Sequence, residues 1–241
     1  MKPRITAPNF TKAGIFSGLK SGEYAVSEIF ESINGEGQKA GRLAVFVRFA
    51  GCNLNCTYCD TGYAIQSSQF KVYSADEIYS YIKSTGINLV TVTGGEPLIQ
   101  PNIKDFLRVL ADDRSLEVEI ETNGAVDISE IVTMLNRPSL TMDYKLPSGG
   151  MEQYMLTDNF QFLNKSDTVK FVAGTKGDLE RLARIINEYD LLNQCAVYIS
   201  PVFGKLEPSE IVDFMKERNL CGVTLQLQLH KYIWGPDSRG V

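Results

Sequence analysis

Short apolar or β-branched runs alternate with helical patterns along most of the chain, and this alternation constrains the fold more than any other feature. Runs at 44–49, 89–93, 116–121, 140–144, 168–172, 196–200 and 222–228 predict strands. Between them, 74–84, 102–110, 128–135, 158–163, 178–189 and 208–218 predict helices. The first of these opens on a cap signature, with Ser74 followed three residues later by Glu77, and Ile78, Tyr81 and Ile82 on one face. Repeated strand–loop–helix order implies a parallel sheet, because parallel neighbours need crossover connections. The expected fold is α/β: a partial, TIM-like barrel of about six parallel strands, with an open doubly wound sheet as the other geometry of the same pattern. In both, function gathers at the carboxyl ends of the strands.

A chain of 241 residues buries a sizeable core without disulfide staples. Its net charge of −5 argues against broad binding to nucleic acid or anionic membrane. No apolar run approaches the ~18–20 residues of a membrane span. Three of the five cysteines crowd into positions 52–59, which excludes a disulfide framework and favours a reducing, cytoplasmic setting with cluster or metal chemistry. Residues 1–22 are basic, contain no acid and lack the apolar stretch of a secretory signal. An organellar transit peptide stays open, but the preferred expectation is a flexible extension before one domain at 23–241.

The sharpest local signal is Gly51-Cys52-Asn53-Leu54-Asn55-Cys56-Thr57-Tyr58-Cys59-Asp60, a C-x₃-C-x₂-C loop after a predicted strand. Three cysteines can ligate three irons of a [4Fe–4S] cube and leave the fourth open. Zinc is the alternative, but a structural zinc site is normally closed by four protein ligands. Here the fourth would have to be Cys195, Cys221 or His230, each far along the chain. A second signature, Thr93-Gly94-Gly95-Glu96-Pro97, follows the next predicted strand, where glycines allow close approach of the backbone.

These two signatures resemble those of radical S-adenosylmethionine (SAM) enzymes. Further stretches narrow the resemblance: Ile33-Asn34-Gly35-Glu36-Gly37, Arg48 within 45–49, Cys59-Asp60-Thr61, and Gln226-Leu227-Gln228-Leu229-His230-Lys231-Tyr232-Ile233-Trp234. Together they look like the 7-carboxy-7-deazaguanine synthase family, over about 24–241. The resemblance implies a ring contraction of 6-carboxy-5,6,7,8-tetrahydropterin to 7-carboxy-7-deazaguanine with loss of ammonia. It implies a [4Fe–4S] cluster, SAM used as a regenerated cofactor, and Mg²⁺. It also implies an external electron donor of flavodoxin or ferredoxin type and a homodimer.

Residue by residue, the resemblance implies that Cys52, Cys56 and Cys59 ligate the cluster and Thr61 the Mg²⁺. Tyr58, Cys59, Asp60, Gly95, Asp143, Tyr144 and Lys145 would contact SAM. Ile33, Asn34, Gly35, Glu36, Arg48, Thr93 and His230 would contact the pterin, with Asn34 one methylene shorter than the family's usual Gln. The planar fork of Arg48 suits a substrate carboxylate, although an ion pair of purely structural use is the competing reading. Glu121 and Asn123 fall at a strand end without an assigned role, and Trp234 is read as packing. Two other functions stay open: an activase that makes a glycyl radical on a protein partner, and a zinc or iron–sulfur binding module without catalysis.

Overall fold

The computed structural model describes residue 11, residues 14–66 and residues 70–241. Its strands are β1 (Glu23–Ile33), β2 (Leu43–Phe49), β3 (Lys71–Ser74), β4 (Leu89–Gly94), β5 (Glu117–Thr122), β6 (Ser139–Tyr144), β7 (Thr168–Ala173), β8 (Ala196–Pro201) and β9 (Val223–Leu225). They form one sheet in the order β3-β1-β2-β4-β5-β6-β7-β8-β9. Strands β2 and β4 to β9 are parallel to one another, so the sheet holds seven parallel strands rather than about six. Its two ends do not pair, which leaves the wall open as a partial barrel.

Strands β1 and β3 were not anticipated. They add antiparallel at one end, β1 on β2 and β3 on the first four residues of β1. The acids Glu28 and Glu31 interrupt the apolar pattern of 23–33, a segment assigned no element from sequence. In the fold they lie where β3 no longer covers β1, on a strand edge that tolerates charge. The predicted helix at 128–135 is one turn, Ser129–Val132, closed beyond by Asn136 at φ 53°, and 158–163 falls within a 3₁₀ segment, Thr157–Phe162.

The helices are α1 (Gly62–Gln66), α2 (Ala75–Thr85), α3 (Ile103–Asp112), α4 (Ser129–Val132), α5 (Lys176–Glu188), α6 (Leu191–Gln194), α7 (Pro208–Glu217) and α8 (Leu229–Ile233). The cap read from sequence is present: Ser74 Oγ accepts the Glu77 N–H at 3.2 Å, and Glu77 returns the contact to the Ser74 N–H at 2.8 Å. A second capping box, Thr175 with Asp178, opens α5. Each such cap is worth about 1 kcal/mol.

Strand periodicity sorts the sheet into two faces. Val45 and Val47, Val90 and Val92, Val118 and Ile120, Leu140 and Met142, Val169 and Phe171, and Val197 and Ile199 are buried in one cluster with Ile78, Ile82, Phe106, Leu110, Leu182 and Ile211 of the helices. Burying each such side chain stabilises by about 1.5–3 kcal/mol, so this face holds the fold together. The intervening positions point the other way and put polar side chains on every central strand, Arg48, Thr91 and Thr93, Glu119 and Glu121, Thr141 and Asp143, and Lys170, beside the apolar Phe46 and Val172. The barrel interior is therefore a charged lining inside an apolar shell.

The described part of 1–22 does not stand apart from the fold. Ile15 is buried against Ala25 and Ala50, with Phe16 and Leu19 packed beside it, and the Thr11 hydroxyl donates to the Cys52 carbonyl at 3.2 Å. The remainder of the expected extension, residues 1–10 and 12–13, lies outside the described residues. Among the described residues no helix is long and apolar enough to cross a membrane.

Candidate functional site

A cavity of about 220 Å³ opens at the carboxyl ends of the strands, inside the barrel wall. Each sequence motif reaches it by the local logic of its element. Strand β2 delivers Arg48 and then runs into the cysteine loop, so Cys52, Cys56 and Cys59 face the space above the strand ends. Strand β4 ends in the Gly-Gly turn, which packs under that loop. A Cβ on Gly94 would meet the Phe49 carbonyl oxygen at 2.5 Å, and one on Gly95 would collide with the Gly51 oxygen and Cys52 Cβ. The room these glycines leave is thus filled by the chain: their first role is to let the cysteine loop sit on β4. Gly95 still borders the cavity.

Glu96, next in the turn, is fully buried. It accepts hydrogen bonds from the Leu98 N–H at 3.0 Å, the Thr122 hydroxyl at 3.0 Å and the Asn123 N–H at 2.7 Å. Among the described residues no cation pairs with it, and burial raises its pKa to about 7. Asn123, tied down by Glu96, reaches the Cys52 sulfur at 3.6 Å and Asn53 Oδ1 at 2.8 Å.

The opposite wall is ionic. Lys170 lies between Glu36 and Asp143, forming an ion pair with Glu36 and lying 3.4 Å from Asp143 Oδ2. Lys145 pairs with Asp143 at 2.8 Å. Burial works against both ammonium groups, but Asp143 heads the opposing charges and keeps both pKa values raised. Asp143 is held below the usual carboxylate range by those lysines despite burial. Among the described residues its Oδ1 is buried without a hydrogen-bond partner, an acceptor left open. Glu121 lines the cavity, with its pKa raised chiefly by burial and the Lys170 ammonium leading the opposition to that rise.

Arg48 answers to both readings made from sequence. Its Nε donates to Glu28 Oε1 at 2.7 Å, which also accepts the Tyr63 hydroxyl at 2.6 Å, and the guanidinium borders the cavity. Burial opposes the charge, while Tyr63 and Glu28 outweigh it and leave the pKa raised. Glu36 is buried, with Oε1 accepting the Gln228 amide at 2.6 Å. The Asn-Gly-Glu-Gly loop and the Gln-Leu-Gln-Leu-His segment close on each other: Gln226 exchanges two hydrogen bonds with Gly37, at 2.6 and 3.0 Å. Gly35 abuts His230 so tightly that a Cβ would lie 2.8 Å from Nδ1. Burial lowers the His230 pKa, which favours the neutral imidazole.

Of the residues expected at the site, Ile33, Gly35, Glu36, Arg48, Tyr58, Asp60, Thr61, Thr93, Gly95, Asp143, Lys145 and His230 border the cavity along with the three cysteines. Two do not. The Asn34 side chain is buried below it, donating to Thr91 Oγ1 at 3.1 Å and Glu119 Oε2 at 2.6 Å. The Tyr144 side chain alternates to the helix-covered face, where its ring packs on Phe160 and Phe171 and its hydroxyl donates to Glu152 at 3.0 Å. Lys170 and Lys231 were missed. Lys231 pairs with Asp60 at 3.1 Å and, against burial, lowers the carboxyl pKa. The available signal for Lys170 was a lysine alone within Thr168-Val169-Lys170-Phe171-Val172, the same oddity that singled out Arg48.

The donor set fits an iron–sulfur cluster better than zinc. Among the described residues no three His, Cys, Asp or Glu side chains converge on one metal-ion position. Cys195 is buried against Leu191, and Cys221 is exposed beside Asn219; neither borders the cavity. His230 borders the same cavity but is packed against Gly35, so three thiols alone would leave an open coordination position.

Residues 46–141 match the model of the radical SAM superfamily. The 7-carboxy-7-deazaguanine synthase of Clostridium acetobutylicum is 53% identical over 219 residues, covering 90% of this chain and 99% of the relative. That of Chlorobaculum tepidum is 38% identical over 219 residues, covering 90% and 96%. The crystal structure of QueE from Escherichia coli superimposes with a TM-score of 0.67 at 20% identity, over 86% of this chain and 94% of that one, which establishes the likeness of fold. The chain belongs to the 7-carboxy-7-deazaguanine synthase family of radical SAM enzymes, a membership that implies a [4Fe–4S] cluster and SAM.

Proposed function

We propose that this enzyme converts 6-carboxy-5,6,7,8-tetrahydropterin to 7-carboxy-7-deazaguanine and ammonia, with Mg²⁺ as an additional cofactor. The observation that carries the reading is one cavity bordered both by the three-cysteine loop and by a belt of buried charges at the strand ends. Cys52, Cys56 and Cys59 would hold the cluster, and cluster and SAM together supply one-electron hydrogen abstraction when bound. Asp143 Oδ1 and Lys145 suit the hydroxyl or ammonium and the carboxylate of SAM, and Tyr58 forms the neighbouring wall. The family expectation for Tyr144 is then confined to its backbone, and that for Asn34 to its place under the site.

The pterin would lie between Arg48, Thr93, Glu121, Lys170 and His230. Arg48 engages Glu28 through Nε, and the same planar fork suits a substrate carboxylate. Lys170, bound between Glu36 and Asp143, fixes those two carboxylates at the edge of the substrate space. Glu121, whose pKa burial raises, borders the same space and is the candidate carboxyl for proton exchange with the substrate. Neutral His230 can accept or donate a hydrogen bond at the mouth. Thr61, beside Asp60 whose carboxylate is committed to Lys231, offers the single hydroxyl donor that suits Mg²⁺, an ion that keeps waters and takes substrate oxygens.

An external one-electron donor and a second copy of the chain complete the proposal as partners. The test is anaerobic turnover with reconstituted protein, reductant, SAM, Mg²⁺ and the pterin, read by mass spectrometry. Product without net SAM consumption is the expected result. SAM cleavage from an intact cluster without product would overturn the substrate and put a glycyl-radical activase in its place.

A further inference from the structure

Asn123, at the end of β5, is buried and its amide orientation is set by its partners. Oδ1 accepts the Ala125 N–H at 3.0 Å, which turns both Nδ2 hydrogens to the other side. One meets Asn53 Oδ1 at 2.8 Å and the other the Cys52 sulfur at 3.6 Å. The backbone behind the side chain is anchored by the 2.7 Å bond from its own N–H to Glu96, whose other acceptor contacts reach Thr122 and Leu98. The amide cannot swing away from the sulfur without breaking the bonds to Ala125 and Asn53.

Cys52 Sγ also receives the Leu54 N–H at 3.4 Å, so two N–H donors converge on one sulfur. Among the described residues no N–H donor is directed to the sulfur of Cys56 or Cys59; Cys59 has the Thr61 hydroxyl at 3.6 Å. The three thiols are therefore electrostatically unequal. Reduction adds negative charge to a cluster and its thiolates, and N–H donors to those sulfurs favour the reduced state.

We propose that Asn123 is a positioning residue for the iron–sulfur cluster: an N–H donor to the Cys52 sulfur that locks this ligand to the Gly-Gly-Glu turn and raises the cluster's reduction potential. The inference rests on the reading of Cys52, Cys56 and Cys59 as cluster ligands. A purely structural strut between Asn53 and Ala125 would leave the potential alone, which separates the two roles.

The test is a redox titration monitored by electron paramagnetic resonance on anaerobically reconstituted wild-type, Asn123→Leu and Asn123→Asp proteins, after iron and sulfide analysis. Leu removes the donor at similar volume and should move the midpoint to a more negative potential. Asp replaces the donor with an anion and should move it further the same way. Equal midpoints in all three would overturn the inference and leave the cluster reading intact. Wild-type protein that binds zinc, or no cluster, would overturn both together. If a variant takes up no iron, wild-type protein labelled with ¹⁵N in the asparagine side-chain amides decides the matter. A hyperfine coupling to the reduced cluster supports the contact, and its absence overturns it.

Discussion

The two walls of the cavity bury carboxylates by opposite means. On the β4–β5 side Glu96 has only neutral donors around it, the Thr122 hydroxyl and the N–H groups of Leu98 and Asn123, and burial lifts its pKa to about 7. On the β6–β7 side Asp143 sits between Lys145 and Lys170 and its pKa is lowered. A carboxylate satisfied by neutral donors ties backbone to backbone, and its charge is left without a paired cation. A lattice of buried ion pairs contributes little to stability after desolvation, but it presents fixed charges where water is scarce. The first wall builds the platform for the cysteine loop, and the second addresses what binds beneath it.

Substitutions can break this division. The largest effect is expected from Cys56→Ala, which removes a cluster ligand and should abolish both cluster assembly and turnover, seen by iron and sulfide analysis beside the product assay. Gly95→Ala attacks the platform: its Cβ would drive into Gly51 and Cys52, and we expect a loss of about 1–3 kcal/mol in urea unfolding together with reduced cluster occupancy. Arg48→Ala addresses the ligand side. Cluster and uncoupled SAM cleavage should persist while pterin KM rises about 10–100-fold, the loss of a charge-assisted contact of about 1.4–2.8 kcal/mol. Turnover with unchanged KM would reduce Arg48 to the partner of Glu28.

The smallest effect is a pH dependence at Glu119, buried below the cavity against Asn34 and Thr141, each at 2.6 Å. Burial first, and Glu121 second, raise its pKa from 4.5 to about 7. The folded state then holds a proton that the unfolded state releases, so this group's contribution to stability falls as pH rises from about 4.5 to 7. Glu119→Gln should match wild type near pH 4.5 and exceed it by on the order of 1 kcal/mol at pH 8 in denaturant titrations.

Much of this molecule was legible from sequence where a local pattern matches a local structure. All seven parallel strands follow from apolar runs, and the Ser74 cap follows from its spacing to Glu77. The cysteine loop and the Gly-Gly-Glu turn could be placed at strand ends because connections after parallel strands converge on one rim. Lys170 escaped because it lacks a motif, and Lys231, though inside the tail segment 226–234, carries no role from the resemblance. Each has meaning only through carboxylates far away in the chain, Glu36 for one and Asp60 for the other. Strand β1 escaped because its acids are tolerated only where β3 stops covering it.

Asn34 and Tyr144 show the same limit from the other side. A motif places a residue next to a site, but the pleat decides whether its side chain enters, and Tyr144 points outward between Asp143 and Lys145, which point inward. Order of elements, the three thiols and the rim on which they meet were determined by the sequence itself, because each depends on neighbours within a few residues. The charge of the site was decided only by tertiary structure. Desolvation and pairing act through space, and they alone make Glu96 and Asp143, alike in sequence chemistry, titrate in opposite directions.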